Sequence, residues 1–196
     1  MKAGLRLAAA VLMGCCAVGA QAQMGDDKPP VPVGQMMEPA KALEEMLTMF
    51  EGQAMAAAKA MPAEKYGFAP SAANFTDKSA KYDGVRTFAA QVAHVAQANY
   101  YFFMTVSGTK PNVDIRAMGK LTSKDDCVKA LAGSFEFGHK ALATITPANA
   151  FESIQGADGL HTRVEVAAMV AAHGFDHYGQ MVEYLRMNGV LPPGSK

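Results

Sequence analysis

The chain has 196 residues with 18 basic and 18 acidic side chains, so its formal net charge at pH 7 is zero. Without a basic excess or a basic stripe, nucleic acid is excluded as an expected partner. The length suits one domain with a complete hydrophobic core and is short for two. No stretch has the roughly 20 apolar residues of a membrane span.

Residues 1–22 are typical of a secretory signal peptide. Two basic side chains precede an apolar run over residues 7–18, and the tripeptide AQA at 20–22 suits signal cleavage. We therefore expect an exported protein, periplasmic or secreted, whose mature chain begins at Gln23.

The three cysteines bear on processing and on stability. The tetrapeptide LMGC at 12–15 loosely resembles a lipoprotein box in which Cys15 would be acylated, but Met13 fits that pattern poorly. A lipoprotein is therefore the less favoured alternative. Cys127 is the one cysteine left after signal cleavage, so an internal disulfide is excluded, and its apolar helical neighbours indicate a buried side chain rather than a nucleophile.

The segment after the signal peptide, residues 23–37, is rich in Pro and Gly and lacks an apolar period, which predicts a flexible leader before a domain over 38–196. Helix 1 begins near Pro39, carries apolar residues at steps of three and four, and is stopped by Pro62. Residues 63–85 are predicted to form a long loop. Its expected packing anchors are three aromatic residues: Tyr66, Phe68 and Phe75.

Two further helices follow with the same apolar period. Helix 2 spans about 86–106 and ends before Gly108. Helix 3 begins after Ser123, which suits the N-cap position, and runs to Ile145 before Pro147 stops it.

Helix 4 has the clearest ends of the four. Thr162 and Glu165 form a capping box, and Asn188 with Gly189 provides a left-handed C-terminus. No segment of the mature sequence shows the sustained alternation of a β-strand. The expected fold class is therefore all-α, and a four-helix bundle is the natural packing solution.

Two histidines of helix 4 have the spacing of metal ligands. His173 and His177 lie one turn apart, with about 6 Å between their Cα atoms, so both rings can reach one ion at about 2.0 to 2.1 Å. They share a face with apolar residues, and burying an imidazole there without a hydrogen-bond partner would cost several kcal/mol, because the ring loses its hydration. The pair alone stays ambiguous, because each ring can instead satisfy a backbone carbonyl.

The third candidate ligand is His94. It lies near the middle of helix 2, at the same depth as His173 and His177, and the small residues Ala90 and Ala98 leave space for an ion beside it. We therefore predict that three imidazoles from two helices converge on one ion inside the bundle.

The other two histidines are not expected among the three ligands, although His139 is a candidate for the fourth ligand that would close a structural site. Glu136 and His139 form an E-x-x-H pair, which resembles half of a carboxylate-bridged di-iron site, but the matching second half is missing from the sequence. We expect a structural or surface role for His139 and an exposed position for His161.

Three segments resemble the DinB (YfiT-like) family of metalloenzymes: PAEKYGF at 62–68, FAAQVAHVA at 88–96 and HGFDHYGQMVEYLRMNG at 173–189. The similarity spans nearly the whole mature chain. The last segment is the most specific, because it combines two histidines, a G-Q pair and the helix cap in one register.

This resemblance implies a bundle with up-down-down-up topology, in which one histidine of helix 2 and two of helix 4 bind a divalent ion, commonly nickel or zinc. Carried onto this sequence, the ligands are His94, His173 and His177. Members of the family are often dimeric, so a homodimer is an expectation for this chain.

Two functional hypotheses follow from a three-histidine site. Three neutral nitrogen ligands leave a coordination position for water, whose pKa then falls toward about 7; this suits a metal-dependent transferase or hydrolase of a small molecule. Some relatives use thiols, but an exported protein does not meet the cytoplasmic thiol pool. The alternative is a non-catalytic metal- or partner-binding bundle of the cell envelope, stabilised by its ion.

The sequence identifies no catalytic residue. Asp176 is next to His177 in the chain but about 100° away around the helix, so it either orients a ligand or faces solvent, and solvent is favoured.

Overall fold

The computed structural model describes residues 31–74, 76–79 and 81–194. The predicted signal peptide, most of the predicted leader and the expected anchor Phe75 lie outside these ranges.

The described chain is all-helical. Its helices are, in order, α1 (Pro39–Ala60), α2 (Phe88–Ser107), α3 (Ile115–Met118), α4 (Lys124–Leu142) and α5 (Arg163–Met187). Between the named helices lie two 3-10 turns, in the loop before α2, and one isolated bridge from Ser153 to Thr162. The four long helices are the four that the apolar period predicted, and α3 is a single turn that it did not predict.

The ends of the long helices follow from their capping residues. The Ser123 side chain accepts a hydrogen bond from the backbone of Asp126, and Thr162 with Glu165 completes a capping box at the start of α5. Gly189, with φ of 70°, provides the left-handed residue after α5. These predicted ends are confirmed.

Two predicted boundaries were wrong by a few residues. Helix α2 begins at Phe88 rather than at Arg86, because Thr87 is its N-cap and accepts a hydrogen bond from the Ala90 backbone. Helix α4 ends at Leu142 rather than at Ile145, because the chain tightens there into hydrogen bonds that span three residues, the last from Ile145 to Leu142.

Each of α1 and α2 packs against both α4 and α5. Cys127 at the start of α4 lies against Ala89 at the start of α2, and the middles of the two helices are joined by a hydrogen bond from Asn99 to Ser134. Helices α2 and α4 therefore run in the same direction.

Helices α2 and α5 run in opposite directions. Gln91 near the start of α2 contacts Gln180 in the second half of α5. Further along α2, the ring of Phe102 lies 5.9 Å from that of His173, which is nearer the start of α5. The middle of α2 therefore faces the middle of α5.

Aromatic side chains join the helices in the core. The ring of Phe50 in α1 lies 5.3 Å from that of Phe135 in α4 and 5.4 Å from that of Phe175 in α5. Tyr66 is buried and its hydroxyl donates to the Ala58 carbonyl, which confirms its predicted role as an anchor. No helix in the described ranges has the length and apolarity needed to span a bilayer.

Candidate metal centre

Three histidines from two helices meet at one point of the bundle. His94 extends from α2, and His173 and His177 extend from successive turns of α5. The Nε2 atom of His173 lies 3.3 Å from that of His94 and 3.1 Å from that of His177. One ligand atom of each ring lies within 4.8 Å of the others. The predicted convergence of the three side chains is therefore observed.

Burial keeps all three imidazoles neutral near pH 7. Loss of hydration, together with the charge of Arg86 and the neighbouring rings, lowers the pKa of His94 to about 4. Burial and His173 lower the pKa of His177 to about 4. The pKa of His173 is also lowered, chiefly by burial, although the charge of Asp176 opposes the shift. Neutral imidazole is the form that ligates metals.

The hydrogen bond with Gln91 leaves Nε2 of His177 without a proton, facing Nε2 of His173. The Nδ1 of His177 lies 2.9 Å from the Gln91 side-chain oxygen, which can only accept, so Nδ1 carries the proton of this neutral ring and Nε2 has none. A proton on Nε2 of His173 could be donated to Nε2 of His94 or to Nε2 of His177, but it cannot make a good hydrogen bond with both. A cation between the rings would accept the lone pairs of all three Nε2 atoms at once, which a single proton on His173 does not do.

The spacing of the nitrogens fits a metal ion. Two nitrogens at about 2.1 Å from one ion lie about 3.0 to 3.4 Å apart when the angle between them is about 90° to 110°. The two measured Nε2 separations, 3.1 and 3.3 Å, fall within this range. The donor set and its geometry thus both suit a small divalent ion.

One side of the cluster is less enclosed than the other. His177 is buried, with 5% of its surface exposed, whereas His94 and His173 are half-buried. Among the residues that the structure describes, the cluster gains no fourth histidine, cysteine or carboxylate ligand. Structural zinc sites are usually closed by a fourth protein ligand, whereas the described residues bring three ligands together here.

Comparison with known proteins identifies the family. Residues 27–181 match the sequence profile of the DinB superfamily. The chain belongs to the DinB superfamily. Its fold is similar to that of a crystallised protein assigned to the DinB family from Exiguobacterium sibiricum 255-15, with a TM-score of 0.56 and 16% identity over 79% of this chain and 95% of that one. A search of curated proteins gives no significant match.

The DinB chain has a second histidine centre of a different kind. His139 of α4 lies between two carboxylates of α1, with Nδ1 2.6 Å from Glu44 and Nε2 2.8 Å from Glu51. Burial lowers its pKa, but the hydrogen bond with Glu51 and the charge of Glu44 outweigh this effect, and the net shift is upward. Both ring nitrogens are occupied, which excludes His139 as a fourth ligand.

The remaining candidates lie outside the cluster. Glu136 pairs with Lys140 and not with His139, so the E-x-x-H pair does not act as a unit in this DinB chain. His161 is exposed, as predicted. Cys127 is buried, and burial raises the pKa of its thiol to about 11, which keeps it protonated.

Two glutamines next to the cluster were missed by the sequence analysis. Gln91 of α2 and Gln180 of α5 connect His177 to Asp176 through hydrogen bonds. Asp176 is exposed, as predicted, and the two amides join it to His177 by hydrogen bonds. Gln91 lies on the buried side of α2, and an amide among mostly apolar positions was the available signal.

Proposed function

We propose that this DinB protein binds one divalent metal ion through His94, His173 and His177. The observation that carries the proposal is the convergence of three neutral imidazole nitrogens at separations of 3.1 and 3.3 Å. Neutral imidazole ligands suit zinc, nickel, copper and iron, whereas calcium and magnesium prefer oxygen. With the family resemblance added, nickel or zinc is the expected ion.

The proposed function is that of a metal-dependent enzyme, a transferase or hydrolase of a small molecule. A bound ion would supply a Lewis acid and a water of lowered pKa on the accessible side of the cluster. The protein's own contribution is to present three neutral ligands, and to bury the His177 side while His94 and His173 remain partly exposed. A non-catalytic binding bundle would instead close the site with a fourth ligand.

Metal content tests the ligand assignment. We expect about one equivalent of metal in the purified mature protein by elemental analysis, and a large loss in His94→Ala and in His177→Ala. The matched control is His161→Ala, because His161 is exposed and outside the cluster. Unchanged metal content in both cluster variants would refute the assignment.

The cobalt-substituted protein tests whether the site is open. Azide or a small thiol should change the visible absorption of bound Co²⁺ if a coordination position is exchangeable. A spectrum that does not respond to either would favour the non-catalytic bundle.

We further propose that the protein is exported. The support is the basic, apolar and small-residue order of residues 1–22. Intact mass of the protein from a cell-envelope fraction tests this: a chain that begins at Gln23 supports export in soluble form. An acylated chain that begins at Cys15 would support the lipoprotein alternative, and an unprocessed cytoplasmic chain would contradict both.

A further inference from the structure

We infer that Asp176, Gln180 and Gln91 form a hydrogen-bonded relay that holds His177 in the one tautomer able to bind metal through Nε2. The inference rests on the proposed function, since it treats His177 as a ligand. It assigns the three residues a positioning role: none of them touches the point where the three Nε2 atoms converge.

The relay crosses the interface between α2 and α5 in three hydrogen bonds. The Gln180 amide nitrogen donates to the Asp176 carboxylate at 3.2 Å. The Gln91 amide nitrogen donates to the Gln180 oxygen at 2.6 Å. The Gln91 oxygen then accepts from Nδ1 of His177 at 2.9 Å. Every link is thus made by side chains whose donors and acceptors alternate.

The carboxylate at one end sets the direction of the whole relay. An ionised carboxylate can only accept, so it requires the NH₂ group of Gln180. The oxygen of Gln180 must then face Gln91 and requires the NH₂ group of that residue. The oxygen of Gln91 in turn faces His177, which must place its proton on Nδ1. Asp176 thereby determines the position of a proton three hydrogen bonds away.

The tautomer that the relay requires of His177 is the one that a neutral imidazole does not prefer in water. A neutral imidazole in water favours the tautomer with the proton on Nε2, and in that form Nε2 cannot ligate. A partner for the other ring nitrogen that orients the ligand and fixes its tautomer is a common feature of histidine metal sites. Here the partner is an amide, and the acceptor-only group that orients it lies at the surface.

Burial makes the relay difficult to rearrange. Gln91 is 1% exposed and His177 is 5% exposed, so a reversed amide would leave buried polar atoms unpaired. Gln91 also lies one turn before His94 on α2. The relay therefore joins the helix that carries one ligand to the helix that carries the other two.

The tautomer of His177 is measured directly in the metal-free protein. We expect the long-range proton–nitrogen NMR spectrum of the wild type to show a protonated Nδ1 and a bare Nε2 for His177. In Gln91→Met, a change of similar side-chain length that removes the acceptor, the ring should shift to the Nε2–H form. A wild-type ring already in the Nε2–H form would overturn the inference.

Asp176→Asn is the second variant, and it keeps the fold because Asp176 is exposed. An Asn side chain can offer either an oxygen or an NH₂ group to Gln180, so the relay loses its fixed direction and His177 should populate both tautomers. The matched control is Asp158→Asn: Asp158 is exposed and its charge also acts on His173, but it lies outside the relay. The control should leave the His177 tautomer unchanged.

Zinc affinity, measured by competition with a chromophoric chelator, supplies the second readout. We expect zinc to bind about 10- to 100-fold more weakly to Gln91→Met, with a smaller loss for Asp176→Asn and none for Asp158→Asn. A folded Gln91→Met protein with wild-type affinity and an unchanged tautomer overturns the relay and leaves the metal site standing. A wild type that takes up neither zinc nor nickel, yet shows the expected tautomers, refutes the metal site and supports the relay.

Discussion

Gly174, between the two α5 histidines, is packed directly against the Phe50 ring of α1. It is buried, and a Cβ atom built there would overlap the ring of Phe50. That ring cannot move aside, because it is packed between Phe135 and Phe175. The absence of a side chain at Gly174 therefore allows α5 to seat its histidines at their observed depth.

Gly174→Ala should destabilise the protein by about 1 to 3 kcal/mol, the usual cost of overpacking a filled core. The control is Gly179→Ala on the same helix. Gly179 is exposed, and a Cβ atom added there meets nothing within 4 Å. That change should be neutral or stabilise by up to about 1 kcal/mol, since alanine favours the helix. Urea unfolding of both variants checks the pair. Equal midpoints would show that the contact with Phe50 does not limit the packing.

A bridge of Glu44, His139 and Glu51 joins α1 to α4. The two carboxylates are two turns apart on α1, and the ring of His139 lies between them. All three side chains are about one-third exposed or somewhat more. Such a bridge contributes modestly to stability, because solvent screens its charges.

The pH dependence of stability should reveal this bridge. The folded-state pKa of His139 is raised, so its contribution is complete below the unfolded value of about 6.5 and is lost as pH rises through the folded pKa. The difference in unfolding free energy between wild type and His139→Gln should therefore be larger at pH 6, by up to about 1 kcal/mol, than at pH 9.

Glu136→Gln is the control for this experiment. It removes the exposed pair with Lys140, and the hydrogen bond from Lys140 holds the pKa of Glu136 below its ordinary value, well under the pH range of the experiment. Its effect on the free energy of unfolding should be the same at the two pH values. A His139→Gln difference that grows with pH would contradict the assignment of a charged bridge.

The four long helices could be predicted because each is buried on one side, so apolar residues recur along its sequence with the helical period. Leu47, Phe50, Ala54 and Ala57 recur at helical steps, and all four are buried. Helix α3 gave no such signal, since a single turn is too short for a period to appear. Its start instead depends on Asp114, whose side chain accepts from two backbone nitrogens.

The site was predictable only in part, because some of its contacts join residues that are far apart in the sequence. His173 and His177 share a helix, so their spacing is readable, and His94 was placed by its depth along α2. Gln91 meets His177 from 86 residues away, and His139 meets Glu44 from 95 residues away. Contacts of that kind follow from how the helices are paired, and no local pattern encodes them.

The histidine cluster and His139 differ in their surroundings. The cluster between α2 and α5 is neutral, because burial lowers the pKa of each ring. His139, between α1 and α4, has a raised pKa and uses both nitrogens toward carboxylates. The cluster between α2 and α5 is therefore the one suited to a cation, and binding there should stabilise the folded chain against the unfolded chain.

Zinc or nickel should accordingly raise the thermal midpoint of the metal-free protein. An ion at a free concentration of 100 times its Kd, bound by the folded state alone, stabilises by about 2.7 kcal/mol. For a domain of this size that corresponds to roughly 5 to 10 °C. The shift should vanish in His94→Ala, remain in His161→Ala and be reversed by excess chelator. A shift of equal size in His94→Ala would place the stabilising ion elsewhere on the chain.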